Sequence, residues 1–329
     1  MRNNNLKIVF TFVGTFIGAG FASGREIALF FGGKSVLSPI LAALFCGSLA
    51  FVFMEIGRIT NGGLTGYLFP KTQRVWDGLI KSANFVIFSA MLAGAEYTIK
   101  ETTGFVGGGI ASGLLAAAIV VGGMEKIKSA NFIAVPIIIA MCAVMFALEP
   151  NFYISGAFNL INPLLYASMN ILSCGLLSAK LSAGGSRKQS LICSAMIALI
   201  LGLLIVLVYL LVGGREQSEM PLMDLAKSLN LGLAGSLLIL IAIMTTMSGS
   251  LSLASEGKPA LTVALLCGGL LVSTLGFKNI VDTTYPAIGV LGAVISFAGM
   301  ARLARAFWAR RKRITGGRIL TMRLRGDII

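Results

Sequence analysis

The 329-residue sequence contains no histidine, and charged residues make up only 12% of it. The absence of histidine removes the side chain that most often serves in acid–base catalysis and metal binding. Only 13 residues are acidic, and no paired aspartate motif for a metal–pyrophosphate site is present. General acid–base and metal-assisted catalysis depend on such groups, so the composition argues against an enzyme.

Cysteine is also sparse. The five cysteines are scattered through apolar runs without a close pair, which argues against both a disulfide framework and a cysteine-based metal site. We interpret them as reduced residues that fill space in the interior. They are Cys46, Cys142, Cys174, Cys193 and Cys267.

Apolar residues are what the sequence has in excess, with 56% hydrophobic residues and a mean hydropathy of +0.89. Its apolar runs approach the ~20 residues that a helix needs to cross a bilayer. This pattern predicts an all-α polytopic membrane protein with ten transmembrane helices. The predicted spans are residues 8–31, 36–57, 78–99, 105–123, 129–148, 162–181, 189–212, 228–251, 259–276 and 285–308.

Lysine and arginine are unevenly distributed between the connections of these spans. With the N-terminus placed in the cytoplasm, 20 of the 27 basic residues fall in cytoplasmic segments and 6 in outer connections. Cytoplasmic loops of membrane proteins carry such an excess. Because ten is even, both termini are predicted to be cytoplasmic, in a multi-pass protein of the cytoplasmic (inner) membrane. This distribution accounts for the net charge of +14, and we therefore predict no nucleic-acid partner.

The chain ends in a basic tail over residues 310–329, which is densest at Arg310-Arg-Lys-Arg313. Basic clusters next to a transmembrane helix bind anionic headgroups, so membrane lipids are a predicted partner of this tail. The alternative is that the tail only anchors the topology of the chain.

The first predicted span contains the segment Gly14-Thr-Phe-Ile-Gly-Ala-Gly-Phe-Ala-Ser-Gly-Arg-Glu26. Each interior glycine costs a helix ~1 kcal/mol relative to alanine, so the pattern predicts a helix broken near residues 18–24. Backbone released from a helix is tolerated at membrane depth only when it is buried in protein or lines a watery cavity. The break therefore predicts a ligand site. The alternative is a close-packing face, because Gly14-x-x-x-Gly18 and Gly20-x-x-x-Gly24 match the small-residue contact motif.

The sixth predicted span is interrupted in a similar way, by polar and small residues between Asn170 and Gly175. Spans one and six are corresponding members of two five-helix repeats, and because five is odd the second repeat enters the membrane in the opposite direction. Paired interruptions of this kind point to the binding site of an inverted-repeat transporter. We therefore predict a 5+5 inverted repeat, with a first repeat over residues 1–150, a second over 151–309, and facing breaks near residues 18–24 and 169–175.

Helix ends released by the first break can bind both charges of a small solute. The amides of residues 19–24 and the Ser23 hydroxyl are predicted to meet a substrate carboxylate, and carbonyls of residues 18–21 a cation or a substrate ammonium. In span six, Asn170 is predicted at the helix opening, unless it only satisfies a neighbouring helix. The substrate-binding residues predicted from the two breaks are Gly18, Ala19, Gly20, Phe21, Ser23, Gly24, Tyr166, Asn170 and Ser173.

The third predicted span adds Ser89 and Glu96, which lie on one face at helical spacing. An ionisable group inside a span is a functional candidate because burying it is costly. Glu96 is predicted near the outer end, where it pairs with Arg25 or with the ammonium of a cationic substrate. A purely structural ion pair at the mouth is the alternative. Glu26 is predicted on the same outer side.

The segment Gly14–Glu26, with the Phe30-Phe31 just after it, resembles the opening of the YkvI-type bacterial membrane proteins. The same resemblance extends to Leu165-Tyr-Ala-Ser-Met-Asn170 in span six and to Thr245-Thr246 in span eight. YkvI-type proteins are placed in the amino acid–polyamine–organocation (APC) superfamily, whose members share the leucine-transporter (LeuT) fold of five-plus-five inverted repeats. The resemblance covers essentially the whole chain. It implies a LeuT-like fold and a transporter, and it implies no particular substrate.

The resemblance also implies a coupling ion. In sodium-coupled members of the LeuT fold, adjacent hydroxyl residues of helix eight and carbonyls of helix one coordinate Na⁺, and Thr245 and Thr246 match that position. We expect the carbonyls of Ala19 and Ala22 to complete this candidate Na⁺ site, and we expect no other cofactor. The alternative is that both threonines only hydrogen-bond within the membrane. Proton-coupled relatives can use a buried lysine in helix five, and span five contains none.

These features predict a secondary active transporter, a permease that moves a small organic solute by alternating access. An amino acid or a related amine is the leading substrate class. A ligand-sensing receptor subunit on the same fold, like the spore-germination permease-like subunits, is the main alternative, and a membrane enzyme is less favoured. The identity of the substrate, the direction of transport and the oligomeric state stay open.

Overall fold

The structure is a computed structural model that describes residues 2–149 and 156–326, with side chains described over 5–123, 125–149 and 156–308. Within these ranges the secondary structure is helical, and the chain forms no β-strand apart from one isolated bridge between Lys34 and Ala157. Helices satisfy their own backbone polar groups, which is what a bilayer requires of a spanning segment. The all-α prediction is therefore confirmed.

The first half of the chain forms eight helices. They are α1 (Arg2–Phe16), α2 (Ala19–Ala22), α3 (Arg25–Phe31), α4 (Leu37–Thr60), α5 (Leu64–Leu68), α6 (Gln73–Thr103), α7 (Gly108–Val121) and α8 (Met124–Leu148). The second half forms seven helices and one π-helical segment. They are α9 (Ile161–Asn170), the π segment (Ile171–Gly175), α10 (Leu176–Leu181), α11 (Arg187–Val212), α12 (Pro221–Ser228), α13 (Gly232–Ser255), α14 (Pro259–Ser273) and α15 (Phe277–Gly326).

Seven of the described helical stretches are long and apolar enough to cross a bilayer. They are Leu37–Thr60, Gln73–Thr103, Glu125–Leu148, Ile161–Leu181, Arg187–Val212, Gly232–Ser255 and Phe277–Trp308. Three shorter apolar helices accompany them, namely Asn5–Phe16, Gly108–Val121 and Pro259–Ser273. Each stretch overlaps one predicted span, and the chain is a multi-pass membrane protein.

The first span is interrupted twice. Residues 17–18 separate α1 from α2, and residues 23–24 separate α2 from α3. Gly18 is extended, with φ −92° and ψ −170°. Gly24 has φ +81°, a left-handed conformation that glycine adopts without steric cost. Two of the four glycines therefore lie where the backbone leaves the helical conformation, and they flank the short helix α2.

The sixth span differs from the prediction. The break expected near residues 169–175 is instead a π segment, through which the helix continues from α9 into α10. One of the polar residues that suggested a break, Ser173, is bonded to α6: its Oγ donates to Asn84 Oδ1 at 2.6 Å. Asn84 Nδ2 also donates to the Leu172 carbonyl at 3.3 Å. A π segment keeps the backbone helical, so the sixth span does not unwind at these residues.

Small residues let neighbouring helices approach closely, as membrane helices require. Gly292 of α15 lies on the Ser168 carbonyl of α9, and Gly47 of α4 lies against Ala198 of α11. Gly14 of the first motif lies against the buried side chain of Asn131 in α8. The close-packing interpretation therefore describes Gly14. Gly18 and Gly24 lie at the two interruptions of the first span, and Gly20 lies in the short helix between them.

Candidate functional site

A small cavity lies beside the first interruption, where α1 and α3 meet α6, α9, the π segment, α13 and α15. It encloses about 20 Å³, which is room for about one water molecule. Its lining residues are Thr15, Phe16, Gly18, Glu26, Ile87, Met91, Met169, Asn170, Ser173, Thr246 and Tyr285. The structure thus brings together four of the predicted site residues, namely Gly18, Asn170, Ser173 and Thr246.

The polar groups at the first interruption are partly bonded within the protein. The Ala19 N–H donates to Met91 Sδ of α6 at 3.2 Å, and the Ala19 carbonyl accepts from the Ser23 N–H at 2.8 Å. Gly18 lies against the side chains of Met91 and Thr246. Ala19 and Phe21 are fully buried, but neither lines the cavity.

The second interruption contacts α12 rather than the cavity. The Ser23 hydroxyl bonds to the Gly20 carbonyl at 3.3 Å and accepts from the Arg25 N–H at 3.3 Å. The Ser23 carbonyl accepts from the Leu222 N–H in α12 at 2.8 Å. Ser23 and Gly24 therefore join α3 to α12, and they do not line the cavity.

Glu26 lies in the cavity wall, a position that the sequence pattern did not assign to it. The residue is only 3% exposed, and its carboxyl group lies against Gly20 in α2. Its Oε2 atom is buried and has no hydrogen-bond partner among the described residues. The signal that could have found Glu26 is an acid inside an apolar span, which is the same signal that selected Glu96.

The two threonines of α13 make different bonds. Thr246 Oγ1 donates to the Thr15 carbonyl at 2.8 Å and lies 3.3 Å from the Gly14 carbonyl. Thr245 Oγ1 donates to the Ala242 carbonyl of its own helix at 2.8 Å. Of the two threonines, therefore, only Thr246 forms a hydrogen bond to the first span.

The helix-one carbonyls that meet Thr246 are not the ones predicted. Ala19 and Ala22 were expected, whereas the contact is made by Gly14 and Thr15. The reason is that α1 stays helical through Phe16, and the last carbonyls of a helix lack a partner in the next turn. The Thr15 hydroxyl is also buried without a partner in the described part of the chain.

Asn170 and Ser173 line the cavity from the sixth span, and the Asn170 side chain donates to the Tyr166 carbonyl at 3.1 Å. Tyr166 itself is fully buried outside the cavity, and its hydroxyl has no partner among the described residues. Its ring packs against three phenylalanines at centroid distances of 5.6, 5.4 and 5.0 Å. They are Phe16, Phe30 and Phe31. Tyr166 thus anchors the aromatic core behind the cavity.

The two candidates of the third span lie elsewhere. The Ser89 hydroxyl donates to the Phe85 carbonyl of its own helix at 2.9 Å. Glu96 accepts from the N–H groups of Gly107 and Gly109 at 3.0 and 2.8 Å, so it caps the N-terminus of α7. The predicted pairing of Glu96 with Arg25 is therefore wrong, because the free amides of a nearby helix already satisfy this carboxylate.

Arg25 connects three elements at the predicted outer end. Its guanidinium binds Asp282 of α15, with Nε–Oδ1 at 3.0 Å and Nη2–Oδ2 at 2.6 Å. Its Nη1 donates to the carbonyls of Glu216 and Ser218 at 3.3 and 3.1 Å, in the connection after α11. The sequence pattern did not identify Asp282 because a lone aspartate near a span end carries no distinctive spacing.

A second charged cluster lies at the predicted inner end. Glu256, just after α13, binds Lys258 at 2.7 Å and Lys81 of α6 at 2.6 Å. The hydrogen bonds from these two lysines lower the pKa of Glu256 to about 2. A cavity of about 180 Å³ opens beside the cluster and is also lined by Lys180.

No protein-family model matches the chain. A curated relative, the uncharacterized protein YyaD of Bacillus subtilis (strain 168), is 26% identical over 318 residues, which cover 87% of this chain and 93% of YyaD. The YkvI-type assignment therefore stays a prediction.

Solved structures give the fold. Mhp1, a nucleobase-cation-symport-1 family transporter, in a closed conformation with bromovinylhydantoin bound, matches with a TM-score of 0.59 at 13% identity, over 94% of this chain and 79% of Mhp1. The chain has the Mhp1 fold. The inward-facing conformation of Mhp1 matches with a TM-score of 0.55 at 13% identity, over 88% and 74% of the two chains. At this identity the similarity with Mhp1 shows architecture alone, and it supports the LeuT-like fold.

Proposed function

We propose that the chain is a secondary active transporter, not an enzyme, that moves a small organic solute by alternating access. The observation that carries this proposal is the interrupted first span beside a closed cavity built from five spans. Irregular backbone at membrane depth marks binding sites in inverted-repeat transporters. Mhp1, which has the same fold, is a transporter solved in both a closed and an inward-facing conformation.

The proposed architecture has ten spans in a 5+5 inverted repeat, with repeats over residues 1–150 and 151–309. The short helices α1, α7 and α14 are counted as spans, and this gives an even number with both termini in the cytoplasm. The tail over residues 310–329 is assigned to anionic lipids on the basis of sequence alone, because its side chains lie outside the described residues.

Alternating access needs a closure on each side of the cavity. We assign the outer closure to Arg25 with Asp282, and the inner closure to Lys81 with Glu256. The inner pair is about 40% exposed on both sides, and exposed pairs contribute only about 0–1 kcal/mol. The inner closure therefore opens at low cost, whereas the outer one is more deeply buried.

The substrate we propose is an amino acid or a related amine, held by Gly18, Asn170 and Ser173 after the cavity widens. Na⁺ is the proposed coupling ion, because hard cations prefer oxygen ligands and several converge at Thr246. They are the Thr246 hydroxyl and the Gly14 and Thr15 carbonyls. An ion there joins α1 to α13 and favours the conformation in which the two helices stay together.

Counterflow in proteoliposomes tests the transport proposal. Vesicles are loaded with a millimolar unlabelled solute, and uptake of the same labelled solute is followed in sodium and in potassium buffer, with amino acids, amines and hydantoins as the panel. We expect transient accumulation of one class. Ligand-dependent thermal stabilisation, about 2.7 kcal/mol at a hundredfold excess over Kd, without counterflow of that ligand would favour a receptor.

A further inference from the structure

Glu26 gives the cavity wall an acidic side chain. Among the described residues that line the cavity, Glu26 is the only acid, and no lysine or arginine accompanies it. The neighbouring Arg25 is bound elsewhere, because its guanidinium is held by Asp282 and by two backbone carbonyls. The wall therefore offers a ligand one acidic side chain and no basic one.

One oxygen of the Glu26 carboxyl group is also buried without a partner in the described part of the chain. The residue is 3% exposed, and Oε2 accepts no hydrogen bond from any described residue. Burying an isolated charge is strongly unfavourable unless a counter-charge joins it. For this reason, acids inside membrane spans mark the paths of ligands and ions. Glu26 is thus the group in this wall that can receive a ligand's positive charge.

The same carboxyl group lies where the sequence predicted a substrate carboxylate. It lies against Gly20, within the short helix α2. The first amide of α2, the N–H of Ala19, already donates to Met91 Sδ. A ligand carboxylate placed here would meet an acidic side chain and no basic one, so its charge would be buried without a counter-charge, and this disfavours its binding. The arrangement selects against amino acids and other solutes that carry a free carboxylate.

The rest of the wall suits the apolar part of an organic cation. Phe16 and Tyr285 bring aromatic rings to the cavity, and Met91 and Met169 bring flexible thioethers. Aromatic rings attract cations, and thioethers adapt to apolar groups of different shape. The oxygen donors assigned above to Na⁺ centre on Thr246 and include neither Glu26 nor these rings.

We propose that Glu26 is the charge-selecting residue of this site, and that the site takes a small organic ammonium ion that carries no carboxylate. This inference rests on the proposed function in taking the cavity as the ligand site. At about 20 Å³ the closed cavity is too small for such an ion, so the ligand binds while the helices are apart.

Three pairs of probes test the proposal on the unmodified chain: isoamylamine with leucine, phenethylamine with phenylalanine, and agmatine with arginine. The members of each pair differ by one carboxylate. Titration calorimetry in potassium buffer is expected to show at least one amine binding about 100-fold tighter than its amino acid, the scale of a buried charge pair. Glu26→Gln should weaken that amine about 100-fold, and Glu26→Asp should keep the preference. Glu101→Gln, which removes an exposed acid on α6, is the matched control and should change neither affinity.

The proposal is overturned if an amino acid binds as tightly as its amine, if no amine binds, or if Glu26→Gln leaves the affinity for the amine unchanged. It is also overturned if Na⁺ alone binds in a way that Glu26→Gln abolishes. The comparison of amine with amino acid uses the unmodified chain, so it tests the proposal even if a variant fails to fold. Amine binding without counterflow contradicts transport and leaves the role of Glu26 standing. Counterflow of an amino acid supports transport and contradicts the proposed role of Glu26.

Discussion

Arg25 and Asp282 form a two-point salt bridge between α3 and α15, with N···O distances of 3.0 and 2.6 Å. This bidentate geometry is the strongest arrangement that arginine makes with a carboxylate. The side chains are 11% and 29% exposed, so water screens the pair less than a surface pair. Because Arg25 immediately precedes Glu26, the bridge fixes the helix that carries the cavity's acid.

Asp282→Asn removes this charge and keeps the size of the side chain. We expect the free energy of unfolding to fall by more than the about 1 kcal/mol of an exposed pair and by less than the about 3–5 kcal/mol of a fully buried one. Thermal unfolding in detergent measures the loss. The matched control is Glu101→Gln, which breaks the exposed pair with Lys227. Equal losses in the two variants would show that the bridge is no stronger than a surface contact.

Gly20→Val places methyl groups where the Glu26 carboxyl group lies. We expect solute binding to be lost while the protein stays folded, because the added bulk displaces Glu26 and restricts the backbone of α2. Binding by calorimetry and size-exclusion profiles in detergent check the two halves of this prediction. Gly78→Val is the control, since a side chain at this glycine of α6 meets nothing within 4 Å. If Gly20→Val keeps its affinity, the glycine serves helix packing instead.

Thr246→Val deletes the hydroxyl that reaches the first span, whereas Thr245→Val deletes one that bonds its own helix. We expect the difference in solute affinity between sodium and potassium buffer to disappear in Thr246→Val and to persist in Thr245→Val. Linkage requires that Na⁺ and the solute raise each other's affinity by the same factor. Equal affinity in the two buffers for the unmodified protein would contradict sodium coupling.

Asn84→Ala removes the side chain that satisfies the π segment. The Leu172 carbonyl and the Ser173 hydroxyl both lose a buried partner, which costs about 1–3 kcal/mol per group left unsatisfied. Thermal unfolding should show this loss. Asn279→Ala is the control, because Asn279 is exposed and its side chain donates to the Leu275 carbonyl just before α15. A loss no larger than that of the control would mean that the π segment is stable without Asn84.

Features that depend on local chemistry were predictable from the sequence. Apolar run lengths located the spans, and glycine spacing located the interruption of the first one, because both effects depend on residues close in the chain. Thr246 was placed against the first span by resemblance, but the carbonyls it meets lie about one to two turns before the predicted ones. Where α1 ends depends on packing, and the sequence does not encode that to within one turn.

Contacts between distant spans were not predictable in the same way. Ser173 was expected to border an unwound helix, whereas it lies in a continuous one and donates to Asn84, 89 positions earlier. Glu26 was expected at the outer mouth but lies in the cavity wall. The turn at Gly24 redirects α3 in a way that a helical wheel does not represent. Arg25 was paired with Glu96, although both had closer partners from other helices. The errors at Ser173, Arg25 and Glu96 concern polar side chains whose partners lie on other helices or connections.

Alternating access requires that one cavity be reached in turn from the two sides of the membrane. Met169, which lines the cavity and is 2% exposed, is replaced by cysteine after the five native cysteines are removed. Right-side-out and inside-out vesicles are then treated with a membrane-impermeant thiol reagent, with and without the transported solute. We predict that the thiol introduced by Met169→Cys reacts from both sides, and that the solute slows both reactions. Reaction from one side only, whatever the solute, would contradict alternating access.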